Sequence, residues 1–229
     1  VVLGIMCFAL ALGICIQIRT VKNSNSTVSS NYEENNLRAE VLKYKEKYDN
    51  KYKELEKAEE ELEKERQNST KDNSQLEEKE EQIKQGNKMI GLTEVTGPGV
   101  IVTLSDSKKD ANSVLNPSTL LVHDVDILGV VNELKNAGAE AISINDQRII
   151  NMSDIVDINE TFIKVNGQRI LAPYVIKAIG NSSYLETALT GNGGHVDEMK
   201  KIGQNISIEK MNKVKILKYD GEIKTKYIQ

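Results

Sequence analysis

At 229 residues the chain is long enough for one or two domains. Charged residues make up 28% of it, mean hydropathy is −0.42, Trp is absent and Phe occurs twice, which excludes a polytopic membrane protein, a collagen-like chain and a disulfide scaffold. A net charge of −4 offers no footprint for nucleic acid, which attracts basic domains.

The first expected element is a membrane span. Residues 1–18 (VVLGIMCFALALGICIQI) carry no charge, and as a helix they reach about 27 Å, the depth of a hydrocarbon core. A cleaved signal peptide is the rival reading. The apolar run continues past Ala9-Leu10-Ala11 through Leu12, Ile14 and Ile16, which favours an uncleaved anchor. A lipoprotein signal at Leu12-Gly13-Ile14-Cys15 is disfavoured, because Ile14 stands where a small residue is needed. Cys7 and Cys15, the only cysteines, both fall in this span. The rest of the chain therefore has no thiol for nucleophilic catalysis or metal ligation. Arg19 and Lys22 follow the span, and the positive-inside rule taken alone places that end in the cytoplasm.

Residues 19–36 are rich in Ser and Asn and read as a juxtamembrane linker. Over residues 37–90 a heptad pattern takes over. Val41, Tyr48, Leu55, Leu62, Ser69, Leu76, Ile83 and Ile90 recur every seventh residue, with Leu37, Tyr44 and Ala58 as the companion seam. The companion seam then fails at Glu65, Asp72 and Lys79. The pattern implies a coiled-coil stalk that pairs two copies of the chain, or the chain and a paralogue. A solvated single helix or a partly disordered stalk is the alternative.

Residues 91–229 have the composition of one globular domain. Thr96-Gly97-Pro98-Gly99 is turn chemistry and Val100–Leu104 a short strand. Asp126–Ala137 has helical spacing and ends at Gly138, and Ala139–Asn145 is a second strand, expected to pair in parallel with the first. Asn166-Gly167 marks a hairpin between Thr161–Val165 and Gln168–Ala172. Tyr174–Ile179 is a strand, Ser183–Leu189 and Val196–Ile202 are helical, and Ile206–Tyr219 is a last strand. The order βαβ, hairpin, βαβ is that of a ferredoxin-like α+β head with an inserted β-hairpin: a four-stranded sheet with helices on one face.

Several blocks resemble one bacterial family. They are Val95-Thr96-Gly97-Pro98-Gly99-Val100, Ile127–Asn145 (ILGVVNELKNAGAEAISIN), Gln147-Arg148, Val165-Asn166-Gly167, Ala172-Pro173-Tyr174 and Ala178-Ile179-Gly180. In this order they are similar to the domain of unknown function 881 family, the YlxW-like proteins sometimes labelled division initiation proteins, over residues ~90–219. The resemblance implies a single-pass protein of the cell membrane, encoded beside cell-division and cell-wall genes, with its C-terminal domain extracytoplasmic. That location opposes the pull of Arg19 and Lys22. It implies no activity.

Candidate site residues are few. His123 and His195 each lie near carboxylates but at expected helix starts, where capping explains them, so no metal and no cofactor is expected. Gly193, Gly194 and His195 open a helix and offer backbone N–H groups to an anion. Asn145, Gln147 and Arg148, with Asp146, follow the second strand, where amides and a guanidinium suit a carboxylate, phosphate or peptide, although a structural turn whose polar groups fix the inserted hairpin is the favoured reading. No catalytic set is legible. Lys210, Lys213, Lys215, Lys218, Lys224 and Lys226 form a basic stripe that could meet anionic lipid, teichoic acid or an acidic partner, but protection of an edge strand is favoured. The leading expectation is a non-enzymatic interaction protein whose partners are envelope or division proteins. An extracytoplasmic sensor of an anionic or peptide-like cell-wall ligand is the alternative.

Overall fold

The computed structural model describes residues 36–69, 74–110, 112, 114–159 and 162–227. The expected membrane span at 1–18 and the linker up to residue 35 lie outside the described residues. Among the described residues no helix is long and apolar enough to cross a membrane. The chain divides into two compact units between Glu77 and Glu78.

The expected stalk is described as two helices, α1 over 36–69 and α2 over Ser74–Ile90. A stretch of Glu, Lys and Leu without Gly or Pro dictates helix at α1, and polar side chains bond along it, as where Gln67 donates to Glu63 (2.9 Å). Tyr48 and Tyr52 stack one turn apart, with centroids 6.3 Å from each other. The heptad positions Val41, Tyr48, Leu55 and Leu62 are 50–58% exposed.

Helix α2 stops at Gly91, whose φ of +87° is left-handed, and the Leu92 N–H turns back to the Asn87 carbonyl (2.9 Å). Beyond it the head contains β1 (Val95–Ser105), α3 (Asp124–Asn136), β2 (Ala141–Ile144), β3 (Gln147–Arg148), β4 (Ile155–Asn159), β5 (Phe162–Val165), β6 (Gln168–Ile170), β7 (Tyr174–Ile179), α4 (Ser182–Thr190), α5 (His195–Ile202) and β8 (Asn205–Ile216). It is an α+β unit with two antiparallel sheets: a five-stranded one in the order β3-β2-β7-β1-β8 and a three-stranded one in the order β4-β5-β6.

Three expectations are corrected here. β1 and β2 run in the same direction but are not paired, because β7 lies between them and pairs antiparallel with both. Thr96-Gly97-Pro98-Gly99 is not a turn before the strand. It lies inside β1, where the register against β8 shifts between Gly97 and Gly99. At Gly99 the neighbouring strand comes so close that a Cβ would stand 1.9 Å from the Ala178 carbonyl oxygen, which is why the position has no side chain. Finally, the inserted hairpin is wider than expected. Its turn is at Asn166-Gly167, with φ of 52° and 81°, but β4 adds a third strand.

Strand alternation sorts the core. Val100, Val102, Leu104, Ile142, Ile144, Ile176 and Ala178 face the apolar sides of α3, α4 and α5, with Ile163, Val165 and Ile170 of the small sheet joining the same cluster. Ala141, Ile179, Val214 and Ile216 form a smaller cluster on the opposite face. The long strand β8 is an outer strand of its sheet. Two of its lysines are paired, Lys210 with Glu186 (2.8 Å) and Lys215 with Glu94 (2.9 Å).

Candidate ligand-binding cavity

The chemistry-bearing residues expected to act together are separated. Asn145 and Asp146 are the two-residue turn between β2 and β3, with φ of 44° and 66°. Asn145 is occupied: its Oδ1 accepts from the Val175 N–H (2.7 Å), and its Nδ2 faces the Leu171 and Pro173 carbonyls (3.5 and 3.4 Å). Asp146 pairs with Lys177. Gln147 is half-buried beside Ile144.

Arg148 differs from all of these. It is 4% exposed, and its Nη1 is buried with no hydrogen-bond partner. Among the described residues no carboxylate pairs with it. Burial pulls the guanidinium below its ordinary pKa, yet an arginine stays charged at neutral pH. Its backbone is fixed from the inserted sheet, since Asn166 Nδ2 donates to the Arg148 carbonyl (2.8 Å). Its partner across the strands is Ser143, 1% exposed, whose Oγ also lacks a partner. The side chain runs under Gly91, where an added Cβ would be 3.5 Å from Arg148 Cγ and Nε and 2.7 Å from Ile150 Cγ2. The segment after β8 closes the same side, with the Tyr219 N–H on the Gly91 carbonyl (2.8 Å).

Arg148 is thus part of the wall of a cavity of about 490 Å³. The rest is mostly apolar, including Met89, Ile90, Ile150, Met152 and Ile223, with Lys135 and Glu140 as its other charged members. This size suits a small molecule. Sequence reasoning found Arg148 but missed Gly91.

Gly193, Gly194 and His195 do not line this cavity. The donors of their loop are taken by the protein's own carboxylates: the His195 N–H by Glu133 (2.7 Å) and the Gly193 N–H by Asp197 (2.9 Å). The His195 ring lies against Gly129 of α3, with Nε2 3.7 Å from Asp126 Oδ1.

One cluster has the outline of a hydrolytic triad. His123 Nε2 is 3.1 Å from Ser118 Oγ and its Nδ1 is 2.9 Å from Asp157 Oδ2. The Ser118 carbonyl oxygen, however, lies 2.9 Å from the same Nε2, and a carbonyl requires a hydrogen there. Burial alone would lower the His123 pKa, but the bonds to Asp157 and the Ser118 carbonyl, with the charges of Asp157 and Asp126, raise it. The ring thus ties Ser118 to Asp157 at the N-cap of α3, with its Nε2 facing the Ser118 carbonyl as well as the hydroxyl. The capping expected of His123 is seen in its N–H, which donates to Asp126 (2.9 Å). Among the described residues there is no group of three or more His, Cys, Asp or Glu that could hold a metal ion.

Fold and cavity together define an α+β head with a single buried, unpaired arginine at the edge of its larger sheet. A family model for bacterial proteins of unknown function (DUF881) matches residues 82–229, and the chain belongs to that family. It is 34% identical over 127 residues to the UPF0749 protein YlxW of Bacillus subtilis, covering 56% of this chain and 54% of that one. With the UPF0749 protein YlxX of the same organism it shares 32% over 111 residues, 46% of this chain and 45% of the relative. With the UPF0749 protein Rv1825 of Mycobacterium tuberculosis it shares 31% over 134 residues, 56% and 41%. The aligned part is thus about half the length of these curated relatives. A crystal structure of an uncharacterized conserved protein from Mycobacterium tuberculosis superposes with a TM-score of 0.54 at 27% identity, over 65% of this chain and 98% of that one. A related head thus crystallised almost entirely as this unit, which shows that such a unit folds by itself.

Proposed function

We propose that the chain is a single-pass, membrane-anchored, non-enzymatic interaction protein of the bacterial cell envelope, linked to cell division. Its stalk pairs with a second copy or a paralogue and holds the head on the extracytoplasmic side. The observation that carries this reading is the stripe on α1: Val41, Tyr48, Leu55 and Leu62 sit at heptad spacing, each at least half exposed. A lone helix gains nothing by aligning them, whereas pairing removes that apolar surface from water. The uncharged run at 1–18 supports the anchor. The presence of both YlxW and YlxX in one organism supports pairing between paralogues. The order β2-β7-β1-β8, with α3 and the α4–α5 pair as crossovers against one face, supports a ferredoxin-like head. The Ser118 carbonyl, which faces the same His123 nitrogen as the Ser118 hydroxyl, supports a role without catalysis.

The test uses single cysteines in the full chain with Cys7 and Cys15 replaced by Ser. Leu55→Cys cross-links into dimers in membranes, while Glu60→Cys, on the far side of the helix, does not. Equal cross-linking at both, or none at Leu55, refutes the stalk. Lys224→Cys reacts with a membrane-impermeant maleimide on intact cells, and protection until lysis refutes the orientation. A second reading, an extracytoplasmic head that senses an anionic or peptide-like cell-wall ligand, draws on one observation: the unpartnered guanidinium of Arg148.

A further inference from the structure

We propose that the Arg148 cavity binds a single-headed anionic amphiphile, an alkyl carboxylate or alkyl phosphate, with its head on the guanidinium and its chain along the apolar wall. This rests on the ligand-sensing reading and names the ligand's chemistry.

A buried guanidinium cannot shed its charge, and leaving it unpaired is among the costliest arrangements in a protein interior. Neighbouring charges are paired: Asp146 has Lys177, and Lys164 has Asp154 (2.9 Å). Arg148 Nη1 has none, and the Oγ of Ser143 across from it has none either. Arg148 borders the cavity, and the donor fork of a guanidinium is what a carboxylate or phosphate head satisfies. One buried cation calls for one anionic head. What surrounds it is mostly apolar. Ile150 and Ile223 line the interior, while Met89 (85% exposed) and Met152 (54% exposed) stand at the rim. Flexible methionines at a mouth accommodate apolar chains of differing shape. Free inorganic anions gain nothing from such a wall, and neutral alcohols gain nothing from the arginine.

Calorimetric titration of residues 78–229 tests this with decanoate and decyl phosphate below their micelle concentrations, against decanol, inorganic phosphate and a cell-wall muropeptide. The two alkyl anions are expected to bind at least about ten-fold more tightly than decanol or phosphate, and the comparison of the two heads separates a carboxylate from a phosphate source. Arg148→Met is expected to erase the preference over decanol, and Arg148→Lys to keep part of it. Because substitution of a buried residue risks the fold, Met152→Asp is the companion variant. It lies at the exposed rim and is expected to weaken both anions with the melting temperature unchanged. Equal binding of decanol and decanoate, or unchanged anion binding in Arg148→Met or Met152→Asp, overturns the proposal. Arg148-dependent binding of the muropeptide without binding of alkyl anions overturns the amphiphile and leaves the sensing reading standing. No binding of any probe removes both.

Discussion

Gly129 is in the middle of α3, where glycine costs a helix about 1 kcal/mol relative to alanine. The structure gives the reason it is there. A Cβ at this position would stand 2.3 Å from Cδ2, 2.5 Å from Nε2 and 2.7 Å from Cγ of His195, all far inside normal contact. In Gly129→Ala the imidazole must leave the helix surface, giving up its packing and its 3.7 Å approach to Asp126. Crowding of this kind costs about 1–3 kcal/mol. Set against the gain of about 1 kcal/mol in helix propensity, the single variant ranges from neutral to a loss of about 2 kcal/mol. In a His195→Ala background the obstacle is gone, and the same substitution should stabilise by about 1 kcal/mol. The effect of one methyl group thus changes sign or vanishes with a residue on another helix. Urea unfolding of residues 78–229 for the wild type, both single variants and the double variant gives the coupling energy directly. If Gly129→Ala stabilises by the same amount in both backgrounds, the reasoning is refuted.

Gly99→Ala should be far more damaging. The atom met at 1.9 Å is a backbone carbonyl oxygen that cannot rotate aside, so a loss of about 3 kcal/mol or more is expected, and a melting temperature near wild type would contradict the close approach of β1 and β7. Asn166→Ala removes both the bond to the Arg148 carbonyl and a residue tolerant of φ 52°. It should cost about 1–2 kcal/mol, and faster amide exchange should appear in β5 and β6 before β1. His123 supplies a pH dependence. Its folded pKa is raised, so its contribution is fully present below the unfolded value of about 6.5 and is lost as pH rises through the higher folded value. With His195→Gln removing the other imidazole, the melting temperature should fall across that window, and His123→Gln should flatten the fall. A rise with pH in the parent that His123→Gln abolishes would reverse the sign and sink the argument.

Local chemistry made most elements of the head legible, and non-local contacts explain the departures. The strand Tyr174–Ile179 and the turn at Asn166-Gly167 follow from alternation and left-handed turn residues, and the structure has both where expected. The pairing of β1 was misread because helix-linked strands of like direction suggest neighbours, while the strand between them comes from much later in the chain. Thr96-Gly97-Pro98-Gly99 looked like a turn because Gly and Pro punctuate turns. Here they accommodate a register shift and the Ala178 carbonyl, neither of which leaves a local trace.

The candidate site shows the same division with more consequence. Asn145, Gln147 and Arg148 were read as one polar cluster, yet a two-residue turn makes them unlike. With Asn145 and Asp146 both at positive φ, Ile144 is set opposite Gln147 and Ser143 opposite Arg148. Side chains alternate along a strand, so Gln147 falls on the face of Ile144 and Arg148 on the face of Ser143. A slip of one residue would exchange them. Asn145 holds that turn through the Val175 N–H and two carbonyls before β7. Its part is to choose which of the next two residues lies under Gly91. The sequence names the arginine, but its burial is created by Gly91 and the segment at Ile223, distant in the chain and unremarkable in composition. An exposed Arg148 would be an ordinary surface charge. It is the cover supplied from elsewhere in the head that leaves its guanidinium buried without a partner.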